Sequence, residues 1–335
     1  METNTTLKEI AQIAGYSVST ISKALRNSEE ISHKSKTKIK EIATLLNYRP
    51  NKKAVSLRSG KTFCIAVIIP SIEDPFYARI FHGIQSEIAN TNYSIISCIS
   101  NESIEKEKHF IQKVYDQVDA FIISLSKETI AKNEVKHLKI IQQSLKPLVL
   151  IDRVIENIKC CEILSDDKND IKTITTKVFN DGYKNVALVS NTKNINNKLK
   201  IKGFLEAPEI HKNYDIKKYL LNSNAQKLPI KLKALISNYY IDCIIALEED
   251  TTFNTLKILK QKNIRIPEDI ALIGYMSEHI AENLDISVTT INQHRKTMGI
   301  KAVQQILGQL GTSKLSSIKN IKIQSTLVNR QSYTR

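Results

Sequence analysis

The sequence holds no apolar run close to the roughly 20 residues a membrane-spanning helix needs; the run Phe63 to Ile69 near its start falls far short. No membrane segment is expected. The first residues, Met-Glu-Thr-Asn-Thr-Thr, combine neither a basic start nor an apolar stretch, so no secretory signal is read there and a cytoplasmic protein is expected. Signatures of common catalysts are missing as well: there is no phosphate-cradling glycine loop, no His-Glu-x-x-His, no Gly-x-Ser-x-Gly, and the 7 histidines are scattered. An enzyme is not expected, nor is a cofactor. The 5 cysteines are an odd number, and Cys64, Cys98 and Cys243 lie in apolar, strand-like runs, where a thiol acts as a small hydrophobe. The vicinal pair Cys160-Cys161 lacks a second pair or a nearby histidine to complete a metal site, so buried free thiols are expected. No fixed short repeat and no low-complexity tract occurs beyond a richness in Ile, Lys and Asn, which argues against a solenoid.

What is abundant is positive charge. The formal net charge is +15, and residues 1–62 carry 12 Lys/Arg against 5 Asp/Glu while the rest carries 37 against 29. Nearly half the excess thus sits in less than a fifth of the chain, as a nucleic-acid-binding module requires. That segment reads as three short helices. Leu7, Ile10, Ala11 and Ala14 recur at helical spacing behind Thr5/Thr6, with Glu9 placed to complete a capping box from Thr6. Gly15 supplies a turn, and Ser17 to Leu25 forms a second helix with apolar positions 18, 21, 24 and 25. Ser32 caps a third, with Ile39, Ile42, Ala43 and Leu46 as its buried stripe. A helix-turn-helix needs a tight turn and short polar side chains opening its second helix. Ser17, Thr20 and Ser22 suit phosphates or bases, Val18 a thymine methyl, and Lys23 guanine O6/N7. Spacing alone also fits a plain helical hairpin with solvated serines.

From Phe63 onward the pattern changes to apolar runs separated by helix-length amphipathic stretches. The runs are Cys64-Ile69, Ser94-Ile99, Ala120-Ser124, Leu148-Ile151, Val186-Val189, Cys243-Leu247 and Ile270-Ile273. Such runs are strands buried on both faces, and the stretches between them make strand-helix-strand units building parallel sheets. About 270 residues of this would overfill one lobe, so two lobes with a ligand cleft at the strand ends are expected.

The run Leu7 to Leu25 resembles the headpiece of the LacI/GalR family almost residue for residue, and the likeness continues through Asn47 to Asn51 and Ala54 to Gly60. By that resemblance Val18, Ser19 and Lys23 occupy base-reading positions, and Thr6, Ser17, Thr20, Ser32 and Asn51 phosphate-contacting ones. Lys23 stands where many members have Arg and lacks its rigid fork, which softens discrimination at that base. The segment Asn51 to Ser59 resembles the family's hinge, a helix that forms on operator DNA and inserts a leucine into the minor groove. Leu57 is that leucine; Val55 replaces an Arg common in the family. Without the resemblance, Leu57 reads as a linker residue packing on the next domain.

Further likenesses run through the chain: Phe63 to Tyr77, Ile151-Asp152-Arg153, Gly203-Phe204, Ile266 to Ile270 with Gly274-Tyr275, and Val288 to Ile291. They imply a periplasmic-binding-protein-like α/β core of two lobes joined by three crossings, preceded by a small all-α headpiece. The implied organisation is a headpiece at 1–49, a hinge at 50–60 and a two-lobed effector and dimerisation domain at 61–335. By position the effector contacts are Ser71, Asp74, Phe76 and Tyr77 from the first lobe, then Arg153, Lys200, Glu248 and Met276. Lys200 replaces a ligand-clamping Arg, Glu248-Glu249 an Asn-Asp, and Met276-Ser277 an Asp-Asp. The family implies a neutral sugar; Lys200 admits a phosphate or carboxylate instead, and a degenerate pocket is the bland alternative. Glu248-Glu249-Asp250 reads as a helix N-terminal acidic cluster rather than a metal site. The resemblance further implies a homodimer on a pseudo-palindromic operator, usually as a repressor, with effector binding coupled to DNA binding. The tail Leu327 to Arg335 carries no leucine heptads, so a dimer rather than a tetramer is expected.

Overall fold

In the computed structural model, which describes residues 5–48, 59–192, 197–207, 216–311 and 320–333, the first helices form where their caps dictate. Thr6 accepts the Glu9 amide while Glu9 accepts that of Thr6, closing the capping box that opens α1 (Leu7–Ala14). Gly15, at φ 75°, ends α1 in the left-handed region that a side chain would disfavour. Ser17 caps α2 (Val18–Leu25) and Ser32 caps α3 (His33–Leu45) through their hydroxyls. Ile10, Ile21 and Ile39 are fully buried between the three helices, with Ala11, Ala14, Ala24 and Ala43 allowing close approach. Each such isoleucine contributes about 1.5–3 kcal/mol. These helices belong to a compact unit, Met1–Thr62, distinct from the unit Phe63–Arg335.

The second unit contains two six-stranded sheets. In chain order its elements begin with β1 (Cys64–Ile69), α4 (Pro75–Ile88), β2 (Ser94–Ile99), α5 (Ile104–Val114), β3 (Ala120–Ile123), α6 (Lys127–Lys132), α7 (Lys136–Gln143) and β4 (Leu148–Ile151). Then come β5 (Cys161–Ser165), α8 (Asp167–Asn180), β6 (Asn185–Asn191), α9 (Asn197–Leu205), β7 (Lys217–Ser223), α10 (Leu228–Asn238) and β8 (Cys243–Ala246). The last are α11 (Glu249–Gln261), β9 (Ala271–Gly274), α12 (Glu278–Glu282), β10 (Thr289–Asn292), α13 (Arg295–Gly311), β11 (Ile321–Ile323) and β12 (Thr326–Val328). The first sheet runs β11-β5-β4-β3-β1-β2, all parallel. The second runs β12-β10-β9-β8-β6-β7, parallel except that β12 pairs antiparallel with β10.

Both sheets are covered on both faces, which explains why their strands show no alternation. On β1, Ile65, Val67 and Ile69 enter one core and Ala66 and Ile68 the other. On β8, Cys243 and Ile245 face one core, Ile244 and Ala246 its opposite. The chain passes between lobes three times: from β5 into α8, from β10 into α13, and from β11 into β12. Helices α4 and α13 of the first lobe cross at glycines. A Cβ on Gly299 would lie 2.1 Å from the Ile80 carbonyl oxygen, and one on Gly83 equally close to that of Lys296.

Cys98, Cys160, Cys161 and Cys243 are buried, Cys64 is half-buried, and none of the five is in a disulfide. Burial pushes the Cys160 thiol up to about 12 and that of Cys161 up to about 11, so both stay protonated and unreactive. No helix among the described residues is long and apolar enough to cross a membrane.

Candidate functional site

In the headpiece the turn between α1 and α2 presents a row of short side chains. Ser17 Oγ accepts the Thr20 amide at 3.1 Å and lies 2.9 Å from Thr20 Oγ1, so both hydroxyls are held in place while their outer faces stay open. Ser19 is exposed, and Val18 is 41% exposed although apolar. Of the apolar positions of α2, Ile21 and Ala24 are the buried ones, which leaves Val18 for an external contact. Lys23 Nζ is ion-paired with Glu30. Thr6 and Ser32 are committed as caps of α1 and α3. Lys38 donates to the Ala14 carbonyl at 3.4 Å and sits over the Tyr16 ring, so it braces the core of this unit. Asn51 and Leu57 lie outside the described residues.

In the second unit a cavity of about 380 Å³ opens between the lobes at the C-terminal ends of the strands. Of the expected contacts, Asp74, Phe76, Tyr77, Arg153, Lys200, Glu248 and Met276 line it. Ser71 does not: its hydroxyl accepts the amides of Glu73 and Asp74, closing the loop before α4. Asp74 caps α4 by accepting the Phe76 amide at 2.8 Å. Tyr77 donates its hydroxyl to Asp152 at 3.1 Å. Burial, followed by the Asp152 charge, holds that phenol well above its ordinary pKa.

Arg153 is turned toward its own lobe. Its Nη1 donates to Glu102 Oε2 at 2.6 Å and to the Leu125 carbonyl at 2.8 Å, and its Nη2 to Glu102 Oε1 at 3.0 Å. On the second lobe Lys200 is buried, 4.0 Å from Asp167 and 4.2 Å above the centre of the Tyr275 ring. The buried Tyr275 hydroxyl has no hydrogen-bond partner among the described residues. Glu248 opens α11, accepting from the Asn191 amide, the Asn197 side chain and Thr251 Oγ1. Burial pushes its carboxyl above the ordinary value despite these donors.

Sequence reasoning missed the residues on the crossings. Gln293 Nε2 donates to Asp167 Oδ1 at 3.1 Å, tying the β10–α13 crossing to the β5–α8 crossing inside the cavity. Arg295, the first residue of α13, donates from Nε and Nη2 to Gln293 Oε1 at 3.3 and 2.9 Å and stacks 4.8 Å over the Phe76 ring. Their position just beyond a strand end, where α/β sheets place ligands, is the signal that could have found them.

Comparison with known proteins accords with this geometry. Residues 6–51 match the family model described as bacterial regulatory proteins of the lacI family, and residues 177–333 match a periplasmic-binding-protein-like domain. The chain is 26% identical to the HTH-type transcriptional regulator KdgR of Bacillus subtilis, with 98% of each chain covered. It is 27% identical to the ribose operon repressor of Lactococcus lactis, covering 90% of each. Its fold is similar to that of the Lac repressor dimer bound to operator and the anti-inducer ONPF, with a TM-score of 0.80, 16% identity, and 98% and 99% of the two chains covered. A lacI-type reading head on a periplasmic-binding-protein-like core, with relatives that are regulators along nearly the whole length, makes this chain a transcriptional regulator of the LacI/GalR family.

Proposed function

We propose that the protein is a cytoplasmic homodimeric repressor that binds a pseudo-palindromic operator and is controlled by a small, sugar-like molecule in the cleft. The observation that carries the effector reading is the Gln293–Asp167 bond. Two of the three interlobe crossings meet in the wall of the cavity, so a ligand seated there contacts the segments that set the angle between lobes. A ligand that favours one angle shifts the population of lobe arrangements, and the coupling to DNA is reciprocal. Two-fold pairing matches a palindromic operator, because one headpiece covers one half-site. The Lac repressor, whose fold is similar, is a dimer on its operator, which supports this reading. So does the exposure of Ile230, Tyr239 and Tyr240 at 73%, 53% and 74% along and after α10.

In this reading Val18, Ser19 and Lys23 touch base edges, Thr6, Ser17, Thr20, Ser32 and Asn51 touch phosphates, and Leu57 in the 50–60 hinge wedges open the central step. A selection of bound DNA from random oligonucleotides, repeated with Leu57→Ala and at two salt concentrations, tests it. The expected result is a pseudo-palindrome whose central step loses its enrichment in the variant. Strong salt dependence without any motif would mean that the headpiece contacts phosphates alone, and the specific-regulator reading would fail.

A further inference from the structure

The cleft continues into a second cavity of about 440 Å³ that shares Met276, Gln293 and Arg295 with it. Arg79, His82, His294 and Lys296 also line this second space. Among its described lining residues Glu278 is the one carboxylate, and it already accepts from Asn292 Nδ2 at 2.5 Å. At the junction, Arg295 is held by a neutral partner, the Gln293 carbonyl oxygen, and by the face of Phe76. Among the described residues its Nη1 has no hydrogen-bond partner, and no carboxylate lies within 4.0 Å of Arg79 or Arg295. Burial, the largest influence, lowers the Arg295 pKa and the Arg79 charge acts the same way, while Asp74 and Asp152 oppose from beyond ion-pair distance. An arginine nevertheless stays charged, so the cost of desolvating it is offset only in part, by Asp74 and Asp152 at longer range.

Lys200, the cation that sequence reading offered to an anion, differs: Asp167 lies 4.0 Å from it. The cleft is therefore electrically lopsided. Glu248, Glu249 and Asp250 make the β8 strand end acidic and suited to accept hydroxyl protons, while the β10–α13 crossing carries a guanidinium with no ion-pair partner among the described residues and a second beside it.

We propose that the effector carries an oxyanion group, a phosphate or carboxylate, gripped by the Arg295 fork and by Arg79 where the two cavities join. The inference rests on the sensor reading above and names its ligand class. An oxyanion between the two arginines removes their mutual repulsion and takes up open donors in the planar, two-pronged geometry that guanidinium favours.

The test is the thermal unfolding of the full-length protein with matched trios of probes: glucose, gluconate and glucose 6-phosphate, the corresponding galactose and ribose series, and inorganic phosphate. Wild type, Arg295→Gln and Arg79→Gln are compared, with Arg295→Lys keeping the charge without the fork should the Gln variant fold poorly. The expected result is that, in at least one trio, an acid or phosphate ester binds about tenfold or more tightly than its neutral parent. That preference should vanish in Arg295→Gln and weaken in Arg79→Gln. Whether phosphate or carboxylate is the natural group follows from which member leads. A neutral sugar that binds as well as its anionic counterparts, or anion binding that survives Arg295→Gln, overturns the oxyanion proposal and leaves the sensor reading standing. If no probe stabilises the wild type, both fall.

Discussion

Arg153 and Glu102, 51 positions apart in sequence, meet in a two-pronged ion pair with contacts of 2.6 and 3.0 Å, although Arg153 also lines the interlobe cavity. Burial alone would raise the Glu102 carboxyl, but the bonds and charge of Arg153, with help from Lys127, hold it below its ordinary value. Arg153 is thus fixed before any ligand arrives, as a preorganised contact requires.

Glu102→Gln should destabilise the protein by about 2 kcal/mol, between the extremes for exposed and buried pairs, because the carboxylate is 31% exposed and Arg153 is 7% exposed. The sign of the pH effect follows from the lowered carboxyl. Its stabilisation is complete above the unfolded glutamate pKa of about 4.3 and is lost as pH falls through the lower folded value. Denaturant titrations of wild type and variant across the acid range should therefore converge at low pH.

In the proposed reading Glu30, ion-paired with Lys23, competes with DNA for it. Glu30→Gln should tighten operator binding up to about fivefold at low salt, the range of an exposed pair, with the gain shrinking as salt rises. Fluorescence anisotropy with the selected operator measures it; unchanged affinity would remove Lys23 from the reading surface.

Gly299→Ala should cost about 1–3 kcal/mol, since the new Cβ would stand 2.1 Å from the Ile80 backbone oxygen and force α4 and α13 apart. The alanine would improve helix propensity by about 1 kcal/mol in an isolated helix. A fall in unfolding midpoint would show that the crossing dominates.

Ser332→Ala should destabilise the second lobe by about 1–3 kcal/mol. The fully buried Ser332 hydroxyl donates to the Leu272 carbonyl at 2.6 Å and accepts the Thr289 amide at 2.8 Å, and both would lose their partner. Hydrogen exchange at the Thr289 amide reads the loss directly.

Much of this architecture is legible in the sequence because buried parallel strands are written as unbroken apolar runs. The stretches at 64–69, 94–99 and 148–151 coincide with β1, β2 and β4 residue for residue. Strands with polar residues lack that mark: the edge strand β7 is half-exposed and reads Lys-Lys-Tyr-Leu-Leu-Asn-Ser, and β5, beside the edge strand β11, holds Glu162 and Ser165 among its five residues. Helix starts are legible where a serine or threonine caps them, as at Thr6, Ser17 and Ser32. In the cleft, side chains quoted from contiguous motifs were found, whereas Asp167, Gln293 and Arg295 become neighbours only through the crossings. Nor could a motif show that Ser71 spends its hydroxyl on its own loop.

The three crossings also order events during synthesis. The first lobe draws on the two ends of the unit: α13 packs on its sheet and β11 forms its edge beside β5, although some 150 residues separate those strands in the chain. A nascent chain that has emerged as far as β10 holds five of the second sheet's six strands, yet its first sheet lacks an edge and one core helix. The first lobe must therefore wait, with apolar surface uncovered, until α13 and β11 leave the ribosome, and chaperone demand should persist after most of the second sheet has been made.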